Sequence, residues 1–396
     1  MNEKTLDIES KTTLGSFESD NINDQATPTY KLSSDSTKVL LLVEGPVRRK
    51  ETEKFYIGVF NTSLKKLWSR QAELPIEQRY LDIYDVDVTN DGKVFIAIKH
   101  YEKEVNRESV REDGSKVPSY SYTMMVYADG TTKEKELKFD LNNQFIQGTK
   151  LIYNKNGTIT VAGLYKRKHN GNINGAFYAN FDGTSMNVKS PKMVEFPKEI
   201  LTLVDKDNYG SDNEKDPGLY SNFRIRHSRS NGSVDLISEY YKLEIVTTMS
   251  KTSSSTSYHY YYGDIVNTNI DKDGKATFTR IPKNQKMINS TIFMGYFPMI
   301  YNDKLVILYN DDEDNIKRDL EKAPDDVRSF KKAVFAAATI DARGNLTRQS
   351  IYSHRDEDYV SVPVSTSRIS DSKFLIVSDL TKLFKRRTRY GVLDMN

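Results

Sequence analysis

Two arginines and two aspartates pose the most pointed chemical question in this chain. Arg224 and Arg226 are alternate residues of one run, as are Asp85 and Asp87. Alternate residues of a β-strand share a face, so each pair presents one charge sign to one side. Paired guanidinium groups can hold a carboxylate or other anion through bidentate hydrogen bonds. Together with Tyr84, Lys150, Tyr296 and Arg368, in comparable runs, they make a candidate ligand site. The competing reading is that opposite charges neutralise each other across a wet channel, where ion pairs contribute little.

A second constellation is aromatic. Tyr258, Tyr260, Tyr261 and Tyr262 follow a Ser-rich tip at residues 253–256. Exposed tyrosines on a hairpin give a rigid amphipathic platform for a sugar or a protein partner. Packed, they would cover the adjacent sheet. A third is acidic: Asp205, Asp207 and Asp212 have spacing that resembles a Ca2+ loop. Tyr209 stands there where a short oxygen ligand is expected, and Asp216 replaces the usual Glu, which favours a solvated acidic loop. Asp311, Asp312, Glu313 and Asp314 read the same way.

Hydrolytic and thiol chemistry find few residues. No Gly-x-Ser-x-Gly elbow is present. The chain has no cysteine, which excludes disulfides, thiolate zinc sites and a cysteine nucleophile. His100, His169, His227, His259 and His354 lack the close spacing of a metal-ligand pair.

The elements that must position these residues come from a repeat. Residues 90–92 (Asn-Asp-Gly) lead into the apolar run at residues 94–98, which reads as strand, two-residue turn, strand. The phrase occurs six times in all, with Asp35, Asp91, Asn156, Asn231, Asp303 and Asp371 as markers. A second hairpin follows in each of the first five units, and two hairpins make a four-stranded antiparallel unit. Repeated four-stranded units are β-propeller blades. The expected fold is all-β, a six-bladed propeller in one domain over residues 1–396, with seven blades as the alternative. Blades are placed at about 30–70, 82–139, 147–195, 219–281, 292–350 and 360–396. The sixth unit lacks its outer strand, and residues 3–14 are expected to supply it and close the ring, leaving no exposed edge. Trp68 is expected on an outer strand, packed between blades. Pro75 and Pro197 are placed at the starts of short helical connectors, and residues 311–331 are read as an insertion with a short amphipathic helix through Ile316, Leu320 and Val327.

Bulk composition narrows the function. With 58 basic and 55 acidic residues the net charge is +3, which does not suit nucleic-acid binding. No apolar run approaches the ~20 residues that span a bilayer. The first 24 residues are acidic and polar without an apolar signal core. Abundant tyrosine, 25 residues, suits an extracytoplasmic β-protein. The expected location is periplasmic or cell-surface with a signal peptide removed, and cytoplasmic is the alternative.

The repeated hairpins, the run Phe196-Pro197-Lys198-Glu199-Ile200 and the Tyr-rich arm resemble a group of uncharacterised, secreted or envelope-associated β-propeller proteins of Bacteroidetes. The resemblance covers roughly residue 30 to the C-terminus and implies a propeller outside the cytoplasm. It implies no reaction. The WD40 signatures and the Asp box of sialidase-like blades are missing. The expected function is non-enzymatic binding or scaffolding of a protein or glycan partner, as a monomer or a subunit of an envelope complex and without a cofactor. The alternative is a hydrolase or lyase with an Arg/carboxylate site at the central mouth.

Overall fold

The computed structural model describes residues 11–15, 26–46, 48–102, 108–110, 114–130, 135–139, 143–154, 157–168, 173–182, 191–197, 219–226, 232–250, 253–271, 273–327, 329–355, 358–380 and 387–395. The chain divides into two compact units, residues 1–171 with 177–193, and residues 172–176 with 194–396. It is nearly all β. No helix among the described residues is long and apolar enough to cross a membrane.

Three four-stranded antiparallel sheets fill the first unit. The first runs β1 (Thr27–Leu32), β2 (Lys38–Glu44), β3 (Thr52–Asn61) and β4 (Lys66–Glu77) in spatial order. The second has β5 (Leu81–Val88) and β6 (Val94–Tyr101), then a short ribbon of β7 (Glu108–Val110) and β8 (Lys116–Pro118), then β9 (Tyr120–Tyr127) and β10 (Lys135–Phe139). The third has β11 (Phe145–Tyr153), β12 (Thr158–Lys166), β13 (Gly175–Asp182) and β14 (Lys192–Glu195).

The run at residues 94–98 is apolar throughout because β6 is covered on both faces. Val94, Ile96 and Ile98 pack with Leu40, Ile57 and Val59 of the first sheet. Phe95 and Ala97 pack with Leu151, Val161 and Phe177 of the third. Trp68 lies on β4 as expected, and its Nε1–H donates to the Gly92 carbonyl at 3.0 Å.

The second unit repeats the scheme. Its first sheet has β15 (Leu219–Arg226), β16 (Val234–Met249), β17 (Ser254–Ile270) and β18 (Ala276–Ile281), with β19 (Gln285–Ile288) paired to β17 beyond β18. The next has β20 (Tyr296–Tyr301), β21 (Lys304–Asp311), β22 (Val334–Ile340) and β23 (Leu346–Ser353). The last has β24 (Tyr359–Ser361) and β25 (Ser367–Arg368) on one side of β26 (Lys373–Leu380) and β27 (Thr388–Asp394) on the other. Among the described residues this last sheet has no fourth strand beside β27. Ile237 and Ile265 pack on Leu305, Ile307 and Ala336, while Leu308 and Phe335 pack on Phe374 and Ile376.

Several expectations change in detail. The turn at residues 90–92 is a three-residue loop, not a two-residue one. The Thr89 N–H bonds the Lys93 carbonyl, and Gly92 takes the left-handed conformation at φ 87°. Such a loop is a type I turn followed by a left-handed bulge residue. The two-residue form occurs at Asn302 and Asp303, both at positive φ between the paired residues Tyr301 and Lys304. Pro75 is not at a helix start: it sits within β4, the outer strand of its sheet, where a missing N–H costs nothing. A 3-10 turn follows instead, at Gln78–Tyr80. In the insertion, α1 (Glu313–Lys317) is five residues long, Leu320 is exposed, and Val327 is buried beside Gln285. Residues 11–15 carry no strand, and the Tyr56 hydroxyl donates to the Leu14 carbonyl at 3.1 Å. Residues 3–10 lie outside the described residues.

Candidate functional site

Two of the candidate ligand residues are taken up by backbone amides. Asp85 Oδ2 accepts from the Leu151 N–H at 2.9 Å, and Asp87 Oδ2 accepts from the Tyr153 N–H at 2.7 Å. Two aspartates on one face of β5 thus hold alternate amides of β11, the first strand of the next sheet. Lys31 Nζ stands 3.1 Å from Asp85 Oδ1, and Lys150 Nζ stands 3.9 Å from the same oxygen. Burial pushes the Asp87 carboxyl up to about 6, against the pull of Lys31 and of the Tyr153 and Val88 amides.

Tyr84 turns to different company. It is the extra residue of a β-bulge between Ile83 and Asp85. Lys99 Nζ donates to its hydroxyl at 3.4 Å and lies over the rings of Tyr120 at 3.8 Å and Tyr101 at 4.6 Å. Tyr122 completes the enclosure at 5.9 Å. The sequence reading missed this buried ammonium among four tyrosines, which the strand register assembles by pairing Lys99 with Tyr122 and Tyr101 with Tyr120 across β6 and β9.

The remaining mouth candidates do not join this group. Tyr296 is a core residue whose hydroxyl donates to the Ile237 carbonyl at 3.2 Å. Arg368 is exposed and bonds Asp371 and the Ser370 carbonyl in its own turn. Arg224 and Arg226 lie on β15, where they pair with Ile237 and Asp235 of β16. Asp205, Asp207 and Asp212 lie outside the described residues. Asp311, expected to be solvated, is fully buried and accepts from Asn315 Nδ2 at 2.8 Å, while Asp312 caps α1. His354 is buried, with Nδ1 on the Phe330 carbonyl and Nε2 on Ser361.

The Tyr-rich arm is the most distinctive feature of the second unit. Past β15 and β19, residues Ile245 to Met249 continue as a two-stranded ribbon with β17, a reach of about 16 Å at ~3.3 Å per residue. Ser250 and Ser253 close its tip through backbone and hydroxyl bonds. Residues directly opposite in an antiparallel pair share a face. One face carries Lys242, Glu244, His259 and Tyr261; there Glu244 pairs with Lys242 and accepts from the Tyr261 hydroxyl at 2.9 Å. Burial and Glu244 push the Tyr261 hydroxyl up to about 12. The opposite face carries Leu243, Ile245, Met249, Tyr258 and Tyr260.

That second face divides along its length. Near the sheet, Tyr260 and Tyr262 pack on a cluster of Met294, Val327 and Phe330. Further out Ile245 is 62% exposed, Met249 81% and Tyr258 43%. The four tyrosines therefore split: Tyr258 is exposed, and Tyr260, Tyr261 and Tyr262 are partly buried with internal partners. The aliphatic half of the exposed patch was missed in the sequence, although Leu243 and Ile245 alternate with charged residues in a strand pattern.

No family model and no curated protein sequence matches the chain. Solved structures similar over its length include a protein of unknown function from Dyadobacter fermentans, a Bacteroidetes bacterium, at 8% identity and TM-score 0.41, covering 94% of this chain and 95% of that one. The β-propeller domain of the Trilobed protease from Pyrococcus furiosus follows at 9% identity and TM-score 0.32, covering 94% and 95%. Trypanosoma rangeli sialidase matches at 9% identity and TM-score 0.39, covering 92% of this chain and 53% of that chain. At such identities and TM-scores none of these likenesses assigns an activity.

Proposed function

We propose that this chain is a non-enzymatic binding module of the bacterial envelope that docks a protein partner on the exposed face of its arm. Its successive sheets are taken as the blades of a six-bladed β-propeller. The exposure of Ile245 and Met249 on one face of the projecting ribbon carries this reading. Burying an Ile, Met or Leu side chain contributes about 1.5–3 kcal/mol, so a partner covering this patch gains substantial affinity. Aliphatic side chains beside a single exposed tyrosine suit a protein surface better than a sugar, which calls for stacked aromatic rings. The envelope setting draws on the sequence resemblance and the tyrosine-rich composition.

An enzymatic site would require carboxylates free to act beside the arginine pair. Asp85 and Asp87 instead accept hydrogen bonds from strand amides, which supports the binding reading. The test compares proteins recovered from envelope extract by the intact chain and by a variant with residues 245–258 replaced by a short turn. A species bound in proportion to the intact chain and lost with the shortened arm is expected. Equal recovery by both proteins would remove the arm as the contact.

A further inference from the structure

One end of the β2–β3 hairpin meets the start of β5 around a cavity of about 520 Å³. Glu44, Glu53, Gln78, Leu81, Asp82 and Tyr84 line it. Glu44 ends β2 and pairs with Phe55 of β3, two residues from Glu53, so the two carboxylates belong to one face of the sheet. Glu53 is 8% exposed, and its Oε1 has no hydrogen-bond partner among the described residues. A buried acceptor without a donor is costly and calls for a partner. Burial and the nearby Glu44 push the Glu53 carboxyl up to about 7.

The Gln78 side chain bonds the Glu53 carboxyl and pulls against its upward shift, yet Oε1 stays without a partner and the amide is otherwise taken up. Gln78 Nε2 donates to the Pro46 carbonyl at 3.3 Å, and the Gln78 side-chain carbonyl accepts from the Arg48 N–H. Asp82 accepts from the Tyr101 hydroxyl. A complementary occupant must therefore bring both hydrogen-bond donors and positive charge. The volume falls within the ~300–1,000 Å³ of small-molecule sites, far more than one ion fills. Among the described residues no group of three or more His, Asp or Glu could hold a metal ion.

We propose that this cavity binds an organic cation, an ammonium or guanidinium group on a short aliphatic chain, with Glu53 and Glu44 as counter-charges. A guanidinium can bond two carboxylates at once and carries the positive charge that a neutral urea, with its own N–H fork, lacks. This site lies on the first unit and is independent of the arm.

Calorimetric titration of the full chain with n-butylguanidinium, n-butylammonium and the neutral near-isostere n-butylurea tests the assignment. Saturable binding of at least one cation at one probe per chain is expected, with n-butylurea inert. Glu53→Gln and Glu44→Gln keep side-chain volume, and each should weaken the cation by about tenfold or more. Thermal unfolding by circular dichroism establishes that both variants are folded. Absence of saturable cation binding, equal binding of n-butylurea, or unchanged affinity in folded Glu53→Gln overturns the proposal.

Discussion

Asp85 holds the backbone N–H of Leu151 at 2.9 Å, and Asp87 repeats the contact with Tyr153 two residues on. The two bonds tie the first strand of one sheet to the first strand of the next. Each removes a buried carboxylate oxygen and a strand amide from the unsatisfied pool. Asp85→Ala and Asp87→Ala should each lower stability by about 1–3 kcal/mol, read from urea midpoints with the slope unchanged. Midpoints equal to the parent's would mean that these carboxylates face solvent.

Stability should decline as pH rises through neutrality. Burial holds the carboxyls of Glu53 and Asp311 up at about 7 and that of Asp87 at about 6, above ordinary values of 4.5 and 3.8. In that interval the folded chain binds more protons than the unfolded chain. The stability these acids contribute is complete below the ordinary values and is lost as pH passes through about 6 to 7. Glu53→Gln or Asp311→Asn should each flatten the curve by on the order of 1–3 kcal/mol. Chemical denaturation over a pH series reads the effect, and parallel curves for parent and variants would contradict it.

Lys283 and Glu239 form an ion pair with both side chains fully buried, and Lys283 Nζ also donates to Gln285 Oε1 at 3.0 Å. Removing one partner strands the other charge away from water. Glu239→Leu and Lys283→Met should each cost about 3–5 kcal/mol, whereas the two together should cost less than either single change. A strictly additive double-mutant cycle would contradict this coupling.

Leu64 sits at φ 58°, a left-handed conformation that a branched side chain adopts at a cost, and its side chain is exposed. Gly92, Gly157, Gly274 and Gly344 occupy the same place in sister loops. Leu64→Gly should therefore raise stability by about 1 kcal/mol, since left-handed strain on L-residues is about 1–2 kcal/mol. A lower thermal midpoint would show that Leu64 packs usefully.

The repeat was legible because its signals are local. Gly, Asn and Asp mark the loops, and runs such as residues 94–98 announce strands covered on both faces. The destination of polar side chains was not legible. Asp85 and Asp87 find amides set by the register of another sheet, and Asp311 is buried by the way β21 enters α1. Tyr84 and Asp85 are sequence neighbours, yet a bulge sends them to different surroundings. Pro75 reads as a helix start until β4 is seen to be an outer strand. The arm was visible through its tyrosines, while the exposed aliphatic residues became evident once β16 and β17 were paired.

Site-specific photocrosslinking in cells that naturally make this protein tests the binding role most directly. A photoreactive residue placed at Ile245 or Met249 should yield one discrete heavier species, absent when the same group stands at Lys304. Crosslinking at the arm no different from that at Lys304 would contradict a partner-docking surface there.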